Sequence, residues 1–341
     1  MKITRKLTAA VAAIALAGSI PAFSQTKWNV NKTWHVGAEG SWDYLTIDPA
    51  THKMFVPRST HTMVIDEATG KTLGDIPGQK IAHGVAIAPA AGRGFITDGG
   101  GDGAIIIFDL KTYAVLGKLV ALPDADGIIY DAKLNLVLAV SGDKGVLMTF
   151  KPDIDPKAGK IDTPISLDGA PEFLVSDGTG SVFINLMDKG VVAKVDLKTK
   201  KVVERWPVAP GGQPVGMSMD PKTHRLFLGC RKPQLLIVMS ADDGKIIASL
   251  PIGSGVDATK FHDGQVFASC RDGQLIVAAE VGGKYVVQQI VKTPISARTM
   301  DIDPTTHTIY MPTTEYEEVP AGAKAKAKVD GFMIVEVGYV M

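Results

Sequence analysis

A short segment returns along almost the whole chain at a nearly constant interval, and that interval limits the fold more than any single motif does. Each copy reads as an apolar strand, a tight turn and a second strand that often carries an aromatic residue. The clearest copies are Leu45–Val56, Val85–Ile96, Met217–Leu228 and Met300–Met311; Ile128–Ala139, Phe173–Ile184 and Ala258–Ala268 are weaker. The turn positions are Asp48, Ala88, Asp131, Asp177, Asp220, Asp263 and Asp303, with steps of 40, 43, 46, 43, 43 and 40 residues. A period near 40 with only strand signals between turns predicts an all-β chain, a seven-bladed β-propeller of four-stranded blades.

The second copy shows the internal grammar. Strand a is expected at Gly84–Ile87, strand b at Gly94–Thr97, strand c at Ala104–Asp109 and strand d at Tyr113–Leu119, joined by Gly-, Asp- and Thr-rich turns. The last copy ends with Phe332–Val337 as its strand c, leaving too few residues for a good strand d. The alternating segment Trp28–Val36 is therefore expected to close the ring by joining the last blade. Two insertions interrupt the period. Glu315–Asp330 reads as a mobile loop, and Lys151–Thr163 as an enlarged c–d turn on the opposite rim.

Residues 1–24 read as an export leader. Lys2, Arg5 and Lys6 precede the apolar run Leu7–Ile20, and Ala22-Phe23-Ser24 offers small residues for cleavage before Gln25. Residues 25–341 then form one domain, periplasmic or secreted, with no later stretch suited to spanning a membrane. The whole chain carries 36 basic and 36 acidic side chains, and the leader takes three basic ones with it. A slightly acidic remainder argues against nucleic acid as a partner. Cys230 and Cys270 occupy matching positions in neighbouring copies, where blade spacing exceeds the reach of a disulfide, so free thiols are expected.

Two segments, Arg93-Gly94-Phe95-Ile96-Thr97-Asp98 and Thr308-Ile309-Tyr310-Met311-Pro312-Thr313, resemble the YVTN-type propeller repeat. Over nearly all of residues 25–341 the chain resembles the YncE-like family of exported bacterial seven-bladed propellers. That resemblance implies the fold and a binding role, with DNA proposed as a ligand for one such protein and with lactonases and dehydrogenase subunits among related propellers. Fold alone chooses none of these.

Ligands usually enter a propeller at the face where strand a begins and strand b ends. The residues at the start of strand a are Asp43, His83, Asp126, Glu172, Val215, Asp257 and Arg298; the ends of strand b add Arg58, Asp98, Ser141, Asn185, Arg231, Arg271 and Thr313. Charges at a half-buried mouth are costly unless paired or solvated. They could neutralise one another as carboxylate–arginine staples. They could also form a contact ring for a small polar ligand, anionic or zwitterionic, with Arg58 and Arg231 as anion contacts. No cofactor is expected; were a divalent cation held, Asp126, Glu172 and Asp257 would supply oxygen ligands. His52, His224 and His307 share one turn position away from this ring, and His262 lies in another turn.

The composite expectation is a monomeric, non-catalytic binding module for a small polar molecule or a protein partner. A lactonase-type hydrolase would use His83 or a carboxylate to activate water. Single-stranded DNA binding would need basic grooves and aromatic platforms that the composition does not favour.

Overall fold

The computed structural model describes residues 27–37, 40–318 and 325–340. The expected leader, residues 1–24, lies outside them. The fold is all-β with a β-propeller arrangement: the described residues form twenty-six strands and one short 3-10 turn at Pro89–Ala91. Among the described residues no helix is long and apolar enough to cross a membrane.

Among the described residues the strands form six hydrogen-bonded sheets, five of four strands and one of six. This departs from the expected set of seven separate four-stranded sheets. The six-stranded sheet runs Thr46–Asp48, Lys53–Asp66, Thr72–Ala88, Arg93–Asp98, Ala104–Asp109, Val115–Val120. Its two long members each serve different partners at their two ends. Lys53–Asp66 pairs Phe55 with Thr46 and Ile65 with Thr72; Thr72–Ala88 pairs Ile76 with Thr62 and Val85 with Ile96. Ser59 (φ 58°) and Gly78 (φ 99°) lie within these long strands, and the pairing of Ser59 with Ala82 keeps the ladder continuous past them.

Burial is greatest in the middle strands. The middle pair Arg93–Asp98 and Ala104–Asp109 is buried over five consecutive residues each, because one face packs on the next sheet and the other on Phe55, Val64 and Ile76 from the first strands of their own long sheet. The outer strand Ile246–Pro251 instead alternates half-buried with exposed positions. Core clusters sit between adjacent sheets: Phe95, Ile105 and Ile107 pack with Val137, Ala139 and Met148, and Leu226 and Ile237 pack with Phe183 and Val192. Polar side chains add contacts near the axis. Thr46 Oγ1 donates to the Val85 carbonyl at 2.6 Å, Thr97 Oγ1 to that of Asp126 at 2.6 Å, Asn185 Nδ2 to that of Val215 at 2.9 Å and Thr299 Oγ1 to that of Asp43 at 3.0 Å.

The ring closes as the alternation of Trp28–Val36 suggested. Lys27–His35 pairs antiparallel with Ala327–Val340 as the outer strand of the last sheet. Trp28 is its anchor. The buried indole meets Phe267 edge-on at 4.8 Å and Tyr339 at 4.0 Å, and its N–H donates to Gln265 Oε1 at 3.0 Å. Gln289 of the neighbouring sheet accepts from the Trp28 backbone N–H and donates to its carbonyl.

The insertion expected to be a mobile loop is different in its described parts. Thr308–Tyr316 and Ala327–Val340 extend as paired strands, with Tyr316 opposite Ala327 and Lys328 bridging Glu315 at 3.1 Å; residues 319–324 lie outside the described chain. The Lys151–Thr163 turn is irregular but anchored, since Arg93 donates to the carbonyls of Pro152 and Ile154. Cys230 and Cys270 are free and fully buried, and burial pushes both thiols up to about 12.

Trp28→Ala should lower stability by about 3–5 kcal/mol, the usual cost of emptying a large aromatic site, measured by urea unfolding. Val30→Ala, at a 37% exposed position of the same strand, should change it by less than about 0.5 kcal/mol. Equal effects at the two positions would contradict the closure described here.

Candidate functional site

The residues at the start of strand a converge because the inner strands crowd one axis. The next residues along these strands are Tyr44, Gly84, Gly127, Phe173, Gly216, Ala258 and Thr299. Most are small for a geometric reason. A Cβ on Gly84 would lie 2.9 Å from Ile128 Cγ2, on Gly127 2.6 Å from the Glu172 carbonyl oxygen, and on Gly216 2.8 Å from the backbone of Ala258. The space left at the axis is filled by the two aromatic exceptions, Tyr44 and Phe173, whose rings are 4.8 Å apart. Tyr44 donates its hydroxyl proton to the Asp257 carbonyl at 2.9 Å.

This aromatic pair floors the charged mouth. Beyond it lies a cavity of about 210 Å³ lined by Tyr44, Phe173 and residues farther along the same strands, among them Tyr130, Lys260, Met300 and Asp301. None of the ring residues lines that cavity.

Two charge groups occupy the mouth. In the first, His83 Nδ1 is 2.8 Å from Asp43 Oδ2 and 3.6 Å from Asp126 Oδ1. Burial by itself would push the imidazolium down. The hydrogen bond to Asp43 and the charges of Asp126, Asp43 and Asp124 outweigh it and raise His83 to about 9. In the second, Asp257 is gripped by two guanidiniums, from Arg231 and from Arg298, the latter at 2.7 Å. Arg298 also donates to the Trp42 carbonyl and Arg231 to that of Val256, so both are held by backbone as well as charge.

Asp126 and Glu172 are left without full compensation for the burial of a negative charge. Burial pushes Asp126 well above the usual carboxylate range, against the pull of His83. Its Oδ1 is buried with no hydrogen-bond partner. Burial likewise raises Glu172 to about 7, opposed by Arg231 and reinforced by Asp257, Asp124 and Asp43. Tyr44 is pushed up by its own burial and by the fields of Asp257, Asp43, Asp126 and Glu172.

Three residues expected around this mouth lie outside the cluster. Arg58 is buried, with its guanidinium 3.5 Å from the centre of the Phe332 ring, and it donates to the carbonyls of Gly37, Gly40 and Ser41. It secures the segment leading into the first sheet instead of facing a ligand. Asp98 accepts from the backbone N–H groups of Lys80, Ile81 and Gly100 and pairs with Lys118, which fixes the turn after its strand. Arg271 is exposed. The oxygen set Asp126, Glu172 and Asp257 is also divided, since Asp257 already spends both oxygens on arginines. The donors that do cluster are Asp43, His83 and Asp126, within 4.8 Å of one another.

Tyr44 and Asp124 were not among the expected site residues. Tyr44 was visible as an aromatic at a strand position where most other copies carry Gly, Ala or Thr. Asp124 sits in a turn at φ 54°, outside the repeat positions compared, and no spacing marks it. Trp42 packs against the core beside Phe332. No family model and no curated protein matches this chain.

Glu172 gives a pH test. Its proton is held up to about 7 in the folded chain, against 4.5 ordinarily. The folded state therefore has its full advantage below 4.5 and loses it as pH rises through about 7. Glu172→Gln should remove that loss, so the variant gains on the parent between pH 5 and pH 8 in urea unfolding. Parallel pH profiles for the two proteins would refute the assignment.

Proposed function

We propose that this chain is an exported, non-catalytic binding propeller whose mouth receives the positively charged group of a small polar ligand. The observation that carries this reading is the state of Asp126 and Glu172. Two desolvated carboxyls, one with a buried oxygen lacking any hydrogen-bond partner, face a mouth in which the strong cations already serve Asp257. An incoming cation would stabilise their ionised forms and remove the desolvation cost. The arginines were expected to contact an anion; their engagement with Asp257 and with backbone carbonyls favours a cationic ligand group instead.

Several features support the rest of the reading. The resemblance to YncE-like propellers and the leader-like residues 1–24 support export. Seven angular units are supported by the seven repeat copies and by the two-partner pairing of Lys53–Asp66 and Thr72–Ala88, which lets one six-stranded sheet hold two units. A hydrolase that used His83 would need that imidazole free to take a proton. His83 is engaged by Asp43 and holds its proton to about 9, so at neutral pH it is a cation.

The test is a thermal-shift panel on protein lacking residues 1–24, using divalent cations, amino sugars, amino acids, lactones and oligonucleotides. Cationic compounds should raise the midpoint, and Asp126→Asn and Glu172→Gln should remove most of the rise. Binding at pH 7 should also release protons, read by calorimetry in buffers of different ionisation enthalpy. A response confined to lactones or oligonucleotides, or equal responses in parent and variants, would defeat the proposal.

A further inference from the structure

A second constellation lies at a turn position away from the mouth. His262 ends the strand Val256–His262, and the turn Asp263-Gly264 follows with φ of 46° and 76° before Gln265 pairs back onto His262. Both turn residues have positive φ, as the tight Asp-Gly hairpin requires, so the direction of Asp263 is set by the backbone. From the next sheet comes His307, at φ 54° in the turn before Thr308–Tyr316. His262 Nε2 lies 2.6 Å from His307 Nδ1; Asp263 Oδ2 lies 3.4 Å from the first nitrogen and 3.1 Å from the second.

We propose that His262, Asp263 and His307 bind a zinc-class divalent ion that ties the ring-closing sheet to its neighbour. Three electron-rich atoms lie within 3.4 Å of one another, and a single proton can bridge only one pair of them. One ion would satisfy all three. Tetrahedral zinc with bonds of about 2.0–2.1 Å keeps its donors roughly 3.3 Å apart, close to the two nitrogen–oxygen separations, and the two imidazoles would need to part by about 0.7 Å. Two imidazoles and one carboxylate suit zinc, cobalt or nickel better than calcium or magnesium. The His262 side chain is 12% exposed, while Asp263 and His307 are 59% and 43% exposed. That leaves a solvent side for entry and for a water as fourth ligand.

The repeat supplies internal comparisons. His224 holds the equivalent turn position and meets one carboxylate, Asp242, at 2.8 Å. His52 meets Asp303 and Glu67. A turn histidine beside a carboxylate is thus a recurring staple, and among the described residues the second imidazole occurs only at His307. The location gives the ion a task. The sheet holding His307 also holds the closing strand, and Trp28 of that strand donates to Gln265, two residues beyond Asp263.

The experiment is cobalt titration of chelator-treated protein in a His83→Ala background, which removes the Asp43–His83–Asp126 cluster from the measurement. One equivalent should bind with the visible absorption of four-coordinate cobalt, be displaced by zinc, and raise the thermal midpoint. His307→Gln and Asp263→Asn should each abolish the absorption and the thermal rise, and His224→Gln should leave both intact. Circular dichroism confirms the fold; if His307→Gln does not fold, Asp263→Asn decides. Absence of bound cobalt in the His83→Ala parent, or unchanged binding in Asp263→Asn, overturns the proposal. Either result is independent of the mouth, whose ligand panel uses Asp126 and Glu172 variants.

Discussion

Backbone crowding around the axis is the constraint on which the rest of this structure depends. The inner strands approach so closely that a Cβ at Gly84, Gly127 or Gly216 would overlap the neighbouring strand. That approach lets Thr46, Thr97, Asn185 and Thr299 reach the carbonyls of adjacent strands. It also brings residues more than two hundred positions apart into one desolvated cluster. Replacing one of these glycines would press on the wall of the charged mouth as well as on the packing between sheets.

The same crowding explains the division of labour among the charges. Burial raises the cost of every ionised group, so the strongest cations are drawn to the nearest carboxylate. Asp257 takes two arginines; His83 is shared by Asp43 and Asp126. Asp126 and Glu172 receive less than full compensation, and their raised proton affinities follow. Tyr44 and Phe173 follow these residues along their strands, pack against each other, and line the cavity beyond.

Much of this was legible because a repeat makes equivalent positions comparable. Aligning Asp43, His83, Asp126, Glu172, Asp257 and Arg298 at the start of strand a was enough to place them together, since symmetry maps equal register onto equal radius. The ends of strand b were less readable. Arg58 and Asp98 occupy the expected register but turn toward local backbone, where an Arg meets three carbonyls and an Asp meets three N–H groups. Register sets where a Cα lies; local hydrogen-bonding opportunities decide where a long polar side chain goes. His262 and His307 show the converse. Each alone reads as a turn residue, and only the stacking of two sheets makes them neighbours.

The amino-acid order alone determined the strand grammar, the propeller arrangement, the closing role of Trp28–Val36 and the rank of side chains around the mouth, because these depend on period and alternation. Tertiary packing alone decided which charges pair, which carboxyls are pushed toward tighter proton binding, that Tyr44 packs against Phe173, and that two sheets merge through continuous strands. Those outcomes depend on distances of a few ångströms and on the exclusion of water. Neither quantity exists until the ring has closed.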